Sequence, residues 1–158
     1  MLKSLRNKNN FIAITSSLLM MATNAWGAEQ IDIENPWIRS APPTATVLAG
    51  YMTIRNHSDH SITFTSANSP AFKSVQLHRT TLHNGMMHME TVKTLPINSK
   101  DSVQLEPGSY HLMLSNPKQP IKTGDSIPLT LHFGNTTQSI NLVVKQDDET
   151  PTNTHHHH

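Results

Sequence analysis

Residues 110–114 read Tyr-His-Leu-Met-Leu, and their alternation indicates a β-strand. A strand sends successive side chains to opposite faces. The leucines of this segment would therefore point towards a core, and His111 and Met113 would share the other face. The core-facing set consists of Tyr110, Leu112 and Leu114.

Similar short segments recur along the chain, with turn-forming residues such as Asn84-Gly85 between them. No window of ten or more residues shows a convincing helical period. We therefore predict one all-β domain, and regular strand spacing of this kind favours a β-sandwich or small barrel. The predicted strands span residues 31–33, 37–39, 47–55, 61–65, 74–79, 86–92, 102–105, 110–114, 127–133 and 139–145.

Two histidines and two methionines are spaced so that they could meet at one point. They are His78, Met89, His111 and Met113. Ten residues separate the first two, 21 separate Met89 from His111, and one separates His111 from Met113. A thioether is a soft ligand that selects Cu(I), and imidazole also suits copper, whereas zinc sites use cysteine, histidine or carboxylate. The spacing and the ligand types predict a Cu(I) site made without cysteine.

Residues 80–88 are predicted to form a hairpin with Asn84-Gly85 at its tip, which would hold Met89 over this site. The hairpin supplies candidate auxiliary ligands: Met87, Met86, His83 and His88. In a strand, Met87 would share a face with Met89, which makes it the first candidate. Hydrophobic packing of the two methionines and solvation of the two histidines are the alternative interpretations.

Residues 1–27 are typical of a secretory signal peptide, with cleavage before Ala28 and a periplasmic destination. The basic residues Lys3, Arg6 and Lys8 precede an apolar run at 11–22. That run is shorter than the roughly 20 residues of a membrane span, so we expect no stable membrane insertion after cleavage. The copper-binding domain would then occupy residues 28–145.

Residues 146–158 are predicted to be a disordered polar tail. The tail ends in His155, His156, His157 and His158. These imidazoles could gather Cu(II) or zinc on a flexible chain. A truncated purification tag is the alternative origin of these histidines.

Charge and composition exclude several classes of function. Without the leader, nine basic residues stand against 11 acidic ones, a net charge of −2 with histidine neutral. No Lys/Arg cluster remains, so we expect no nucleic-acid partner. The chain contains no cysteine, which excludes a thiol oxidoreductase and the His–Cys copper site of electron-transfer proteins. Neither a nucleophile elbow nor an HExxH zinc motif is present, so we predict that the protein is not an enzyme.

The chain resembles the periplasmic copper chaperones called PCu(A)C. The similar segments are VQLHRTT (75–81), GMMHMETV (85–92), the run from Leu105 to Phe133, and the earlier segments ENPWIRSAPP (34–43) and AGYMTIRNHS (49–58). The family signature of His, ten residues, Met, 21 residues and His-x-Met matches the four candidate ligands position by position.

The resemblance implies a cupredoxin-like Greek-key β-sandwich. It also implies delivery of Cu(I) towards the CuA centre of cytochrome c oxidase subunit II, often alongside Sco-type thioredoxin-like proteins. A periplasmic copper buffer or resistance protein would use the same ligands without a dedicated recipient. A β-sandwich interaction module without metal is the third alternative.

Overall fold

The structure is a computed structural model that describes residues 30–146, and within this range it is all β. The described chain forms eleven strands and no helix: β1 (Ile31–Arg39), β2 (Val47–Asn56), β3 (Ile62–Phe64), β4 (Ser66–Asn68), β5 (Phe72–His83), β6 (Met86–Thr91), β7 (Leu95–Ile97), β8 (Ser102–Leu105), β9 (Tyr110–Pro117), β10 (Ser126–Phe133) and β11 (Thr136–Lys145). Nothing between residues 30 and 146 is a helix long and apolar enough to cross a membrane. The prediction of a single all-β domain is confirmed.

Nine strands form one sheet in the order β4-β10-β11-β1-β2-β8-β9-β5-β6, and β3 pairs separately with β7. The sheet is mixed, because β1 runs parallel to β11 while β1 and β2 are antiparallel. Phe64 of β3 packs edge-on against Phe133 of β10, with ring centroids 5.8 Å apart. This contact joins the small sheet to the core of the large one.

The core is built from the alternating apolar residues of the strands. Leu112 and Leu114 of β9 are fully buried, and Leu77 lies directly opposite Leu112 on β5. Complete burial of a leucine side chain stabilises a fold by about 1.5–3 kcal/mol. These contacts fix which face of β5 and β9 is turned away from the core, and this second face carries the histidines.

Several observed strands differ from the predicted ones, and β5, for example, runs four residues further, to His83. The predicted strands at 31–33 and 37–39 are one strand, β1, whose register shifts between Glu34 and Trp37. Asn35 has a positive φ of 49° there, so Asn35-Pro36 marks a bulge in the strand. The short strands β4 and β7 were not predicted, because three residues are too few to show a period.

The predicted hairpin around Asn84-Gly85 is present. His83 pairs with Met86, so the loop has two residues. Asn84 and Gly85 have φ values of 50° and 76°. Two positive φ values in a two-residue loop are the signature of a type I′ turn, whose twist matches that of the flanking strands. The turn therefore fixes the register of β5 against β6.

Candidate metal centre

The four predicted ligands lie on one face of three neighbouring strands. His78 of β5 is directly opposite His111 of β9. Met89 of β6 pairs with Thr80, and Met113 of β9 pairs with Gln76, so each methionine is a diagonal neighbour of His78. Paired residues, and residues two apart on a strand, point to the same face. The strand pairing thus brings together side chains that are up to 35 positions apart in the sequence.

The two histidine rings are close enough to share an ion. Their centroids are 5.8 Å apart and the ring planes are tilted by 53°. Rings that bind one ion through nitrogens about 2.0–2.1 Å from it can have centres up to about 6 Å apart. The observed separation of His78 and His111 falls within that limit.

His111 is held in an orientation that leaves one nitrogen for a metal. The side chain is buried, and its Nδ1 lies 3.3 Å from the carbonyl oxygen of Ser109. A carbonyl only accepts hydrogen bonds, so Nδ1 carries a proton, and in the neutral form of the ring Nε2 keeps its lone pair. A metal-binding histidine commonly donates its other ring N–H in this way, which fixes the tautomer.

His78 has a buried nitrogen without a partner. Its Nδ1 is inaccessible and makes no hydrogen bond, while Nε2 lies 3.4 Å from Thr91 Oγ1. A buried polar atom that lacks a partner is costly, and a metal ion would give this nitrogen one. Burial lowers the pKa of His78, and the charge of a protonated His111 lowers it further. His78 is thereby kept in the neutral form that metal binding requires.

Both methionines line a shallow pocket together with His111. The pocket has a volume of about 240 Å³, and its wall includes Ala41 and Val47. Met113 is half-buried, whereas Met89 is 58% exposed. The site therefore has a fixed part on β5 and β9 and an open side formed by β6. A larger pocket of about 350 Å³, beside Trp37 and Tyr51, contains none of the predicted ligands.

The auxiliary candidates divide between the two faces of the hairpin. Met87 lies on the face of Met89, as the alternation predicts, whereas His83, Met86 and His88 lie on the opposite face. Met86 and Met87 are 61% and 65% exposed. Within residues 30–146 the alternative of hydrophobic packing is therefore wrong for both methionines, because β6 is the last strand of the sheet and no described residue covers it.

Two predicted segments and the terminal histidines fall outside the described part of the chain. They are the predicted signal peptide at 1–27 and the predicted tail at 146–158 apart from Gln146, with His155, His156, His157 and His158. Between residues 30 and 146, no three side chains drawn from histidine, cysteine, aspartate and glutamate come together as a metal site. The candidate site thus depends on its thioethers.

Sequence reasoning missed the residues that orient the two imidazoles, Thr91 and Ser109. The position of Thr91 could have been deduced, because a two-residue loop at Asn84-Gly85 places residue 91 opposite His78. Ser109 follows Gly108, whose φ is 82°, and no sequence signal shows that its carbonyl turns towards the ring of His111.

A family model described as "Putative lipoprotein LpqE-like" matches residues 31–144. The chain belongs to the LpqE-like family. Among curated relatives, "Putative lipoprotein Lxx21020" of Leifsonia xyli subsp. xyli is 29% identical over 120 residues, which are 75% of this chain and 71% of that protein. "Uncharacterized protein RP573" of Rickettsia prowazekii is 31% identical over 121 residues, or 72% of this chain and 65% of that protein.

Solved structures similar to this LpqE-like chain include a copper-bound PCuAC domain and a Cu(I)-bound protein. The copper-bound PCuAC domain from PmoF2 matches with a TM-score of 0.63 and 24% identity, over 75% of this chain and 94% of that one. The Cu(I)-bound solution structure of DR1885 from Deinococcus radiodurans matches with a TM-score of 0.61 and 30% identity, over 81% of this chain and 88% of that one. These matches confirm the cupredoxin-like β-sandwich fold.

Proposed function

We propose that this domain binds one Cu(I) ion through His78, Met89, His111 and Met113 and carries it as a metallochaperone. The observation that carries the proposal is the convergence of these four side chains on one face of β6, β5 and β9. Two further features support it, namely the unpartnered Nδ1 of His78 and the pocket that the other three residues line.

The ligand set favours Cu(I) over other ions. Two thioethers are soft donors, and two imidazoles are donors that copper accepts readily. All four are neutral when they bind, so the site adds no negative charge that would favour a divalent ion. The Cu(I)-bound structure of DR1885, 30% identical to this chain, supports the same choice of metal.

The surroundings of the site favour transfer to a protein partner over storage. Six large apolar side chains are strongly exposed in the described range: Val47, Leu82, Met86, Met87, Met89 and Val143. Val47 lines the pocket, and Leu82 and Met87 lie opposite each other on the face of Met89. Exposed apolar groups that cluster around a site favour docking of another protein. A buffer without a recipient has no need of such a surface.

We propose that the recipient is the CuA site of cytochrome c oxidase subunit II, with a Sco-type thioredoxin-like protein taking part in the same assembly. This step rests on the resemblance to the PCu(A)C chaperones. The protein would act as a carrier, without catalysis. The leader-like residues 1–27 and the lipoprotein description of the family support an exported protein, which we place in the periplasm.

A Cu(I) titration against a strong competing chelator tests the metal proposal. We expect one tightly bound equivalent and an X-ray absorption spectrum with both nitrogen and sulfur scatterers. A spectrum with nitrogen or oxygen alone would overturn the ligand assignment. Deletion of the gene tests the recipient: loss of CuA supports delivery, whereas unchanged CuA content with copper sensitivity supports the buffer.

A further inference from the structure

The face of the β5–β6 hairpin opposite to Met89 carries a second group of donor side chains. His83 of β5 pairs directly with Met86 of β6, and His88 lies two residues further along β6. All three therefore project from the face opposite to Met89. None of them lines the pocket that contains His111 and Met113.

The two imidazoles of this group have the spacing of the first pair. The ring centroids of His83 and His88 are 5.9 Å apart and the planes are inclined by 68°, compared with 5.8 Å and 53° for His78 and His111. Both separations are below the limit of about 6 Å for two rings that bind one ion. A pair of histidines with this spacing thus lies on each side of β5, with His111 of the first pair supplied by β9.

Met86 adds a thioether to the pair formed by His83 and His88. As the direct cross-strand neighbour of His83, it has its Cβ about 4.5–5.5 Å from that of His83. Its side chain is 61% exposed, so it is free of the core and can turn towards an ion. The type I′ turn at Asn84-Gly85 joins the two strands immediately beside these donors and fixes their register.

We propose that His83, Met86 and His88 form a second, weaker Cu(I) site. Two imidazoles and one thioether are the same soft and borderline donors that make up the first site. The second site is weaker because it has three donors and because exposed side chains lose more rotamer freedom on binding than buried ones. It shares no residue with the first site, so substitutions can remove Cu(I) binding at either site separately.

Cu(I) competition titrations of the full chain test this proposal, with His155 to His158 replaced by asparagine to remove the tail as a ligand. We expect two equivalents, the second weaker than the first. In His83→Asn/His88→Asn the affinity for the second equivalent should fall at least about tenfold, because even the loss of a group that only supports a metal ligand lowers metal affinity by about that factor. The first should be unchanged. In Met89→Leu/Met113→Leu the first equivalent should be lost and the second retained.

His57→Asn/His60→Asn is the matched control, because it removes two exposed histidines outside the hairpin. It should keep both equivalents. Imidazole NMR signals of His83 and His88 should shift during addition of the second equivalent. A parent chain that binds only one Cu(I), or a hairpin variant that keeps the second equivalent at full affinity, would overturn the proposal.

Discussion

Replacement of Met89 by leucine tests the metal centre against a control only two residues away. Met89 and Met87 lie on the same face of β6 and are 58% and 65% exposed, so the same substitution meets a similar environment at both positions. Only Met89 lines the pocket with His111 and Met113. Leucine keeps the apolar bulk and removes the sulfur. We therefore expect Met89→Leu to weaken Cu(I) binding and Met87→Leu to leave it nearly unchanged.

The size of the effect separates ligation from unfolding. A Met-to-Leu exchange is nearly volume-conserving and costs less than about 1.5 kcal/mol of stability, and the exposure of Met89 reduces that cost further. Changes of residues that merely support a metal ligand lower affinity about 10–100-fold. Loss of both thioethers in Met89→Leu/Met113→Leu should exceed the upper value, which corresponds to about 2.8 kcal/mol of binding free energy.

The assay is a competition titration with a Cu(I) chelator, run on variants whose folding is checked by circular dichroism. The order of affinities should be parent, Met87→Leu, Met89→Leu and then the double variant. A folded double variant that holds Cu(I) as tightly as the parent would refute the site. An equal loss in Met87→Leu and Met89→Leu would instead make Met87 a ligand.

Three further outcomes are expected. The pKa of His78 is lowered in the folded protein, so the unfolded chain binds the proton more readily. The free energy of unfolding of the metal-free protein should therefore fall as the pH drops through about 6.5. His78→Asn should flatten that part of a stability–pH profile, and a profile that it leaves unchanged would contradict the burial of His78. Gly85→Ala should lower the free energy of unfolding by about 1 kcal/mol, because φ is +76° at this position; the added Cβ itself meets no atom within 4 Å. Faster amide exchange in β6 would show this loss, and unchanged exchange would contradict it. Truncation after Lys145 should remove most Cu(II) binding and leave Cu(I) binding intact, because the tail offers imidazoles alone and the domain offers thioethers. Separate titrations with the two ions check this. Cu(II) binding that persists after truncation would place the Cu(II) ligands outside the tail.

The sequence allowed the fold class and the faces of the strands to be predicted, because strand alternation is a local property. Residues 110–114 show this: the burial of Leu112 and Leu114 and the common face of His111 and Met113 follow from a period of two. The hairpin register was equally predictable, since Asn84-Gly85 requires a two-residue loop.

Exposure and long-range pairing could not be predicted in this way. The alternative of hydrophobic packing was wrong for Met86 and Met87 because β6 forms the edge of the sheet. The order of strands in a sheet cannot be predicted from any single segment. The burial of His78 likewise depends on its neighbours on β6 and β9, which are 13 and 33 residues further along the chain.

The unequal exposure of the two candidate thioethers makes the site sensitive to oxidants. Met113 is half-buried on β9, whereas Met89 stands on the exposed edge strand. Oxidation to the sulfoxide makes a methionine side chain polar, and Met89 would be the first of the two to react. Its product would bind through oxygen, a hard donor that suits Cu(I) poorly. The oxidation state of a single surface side chain would then set the Cu(I) affinity of this site, and a sulfoxide reductase would restore that affinity.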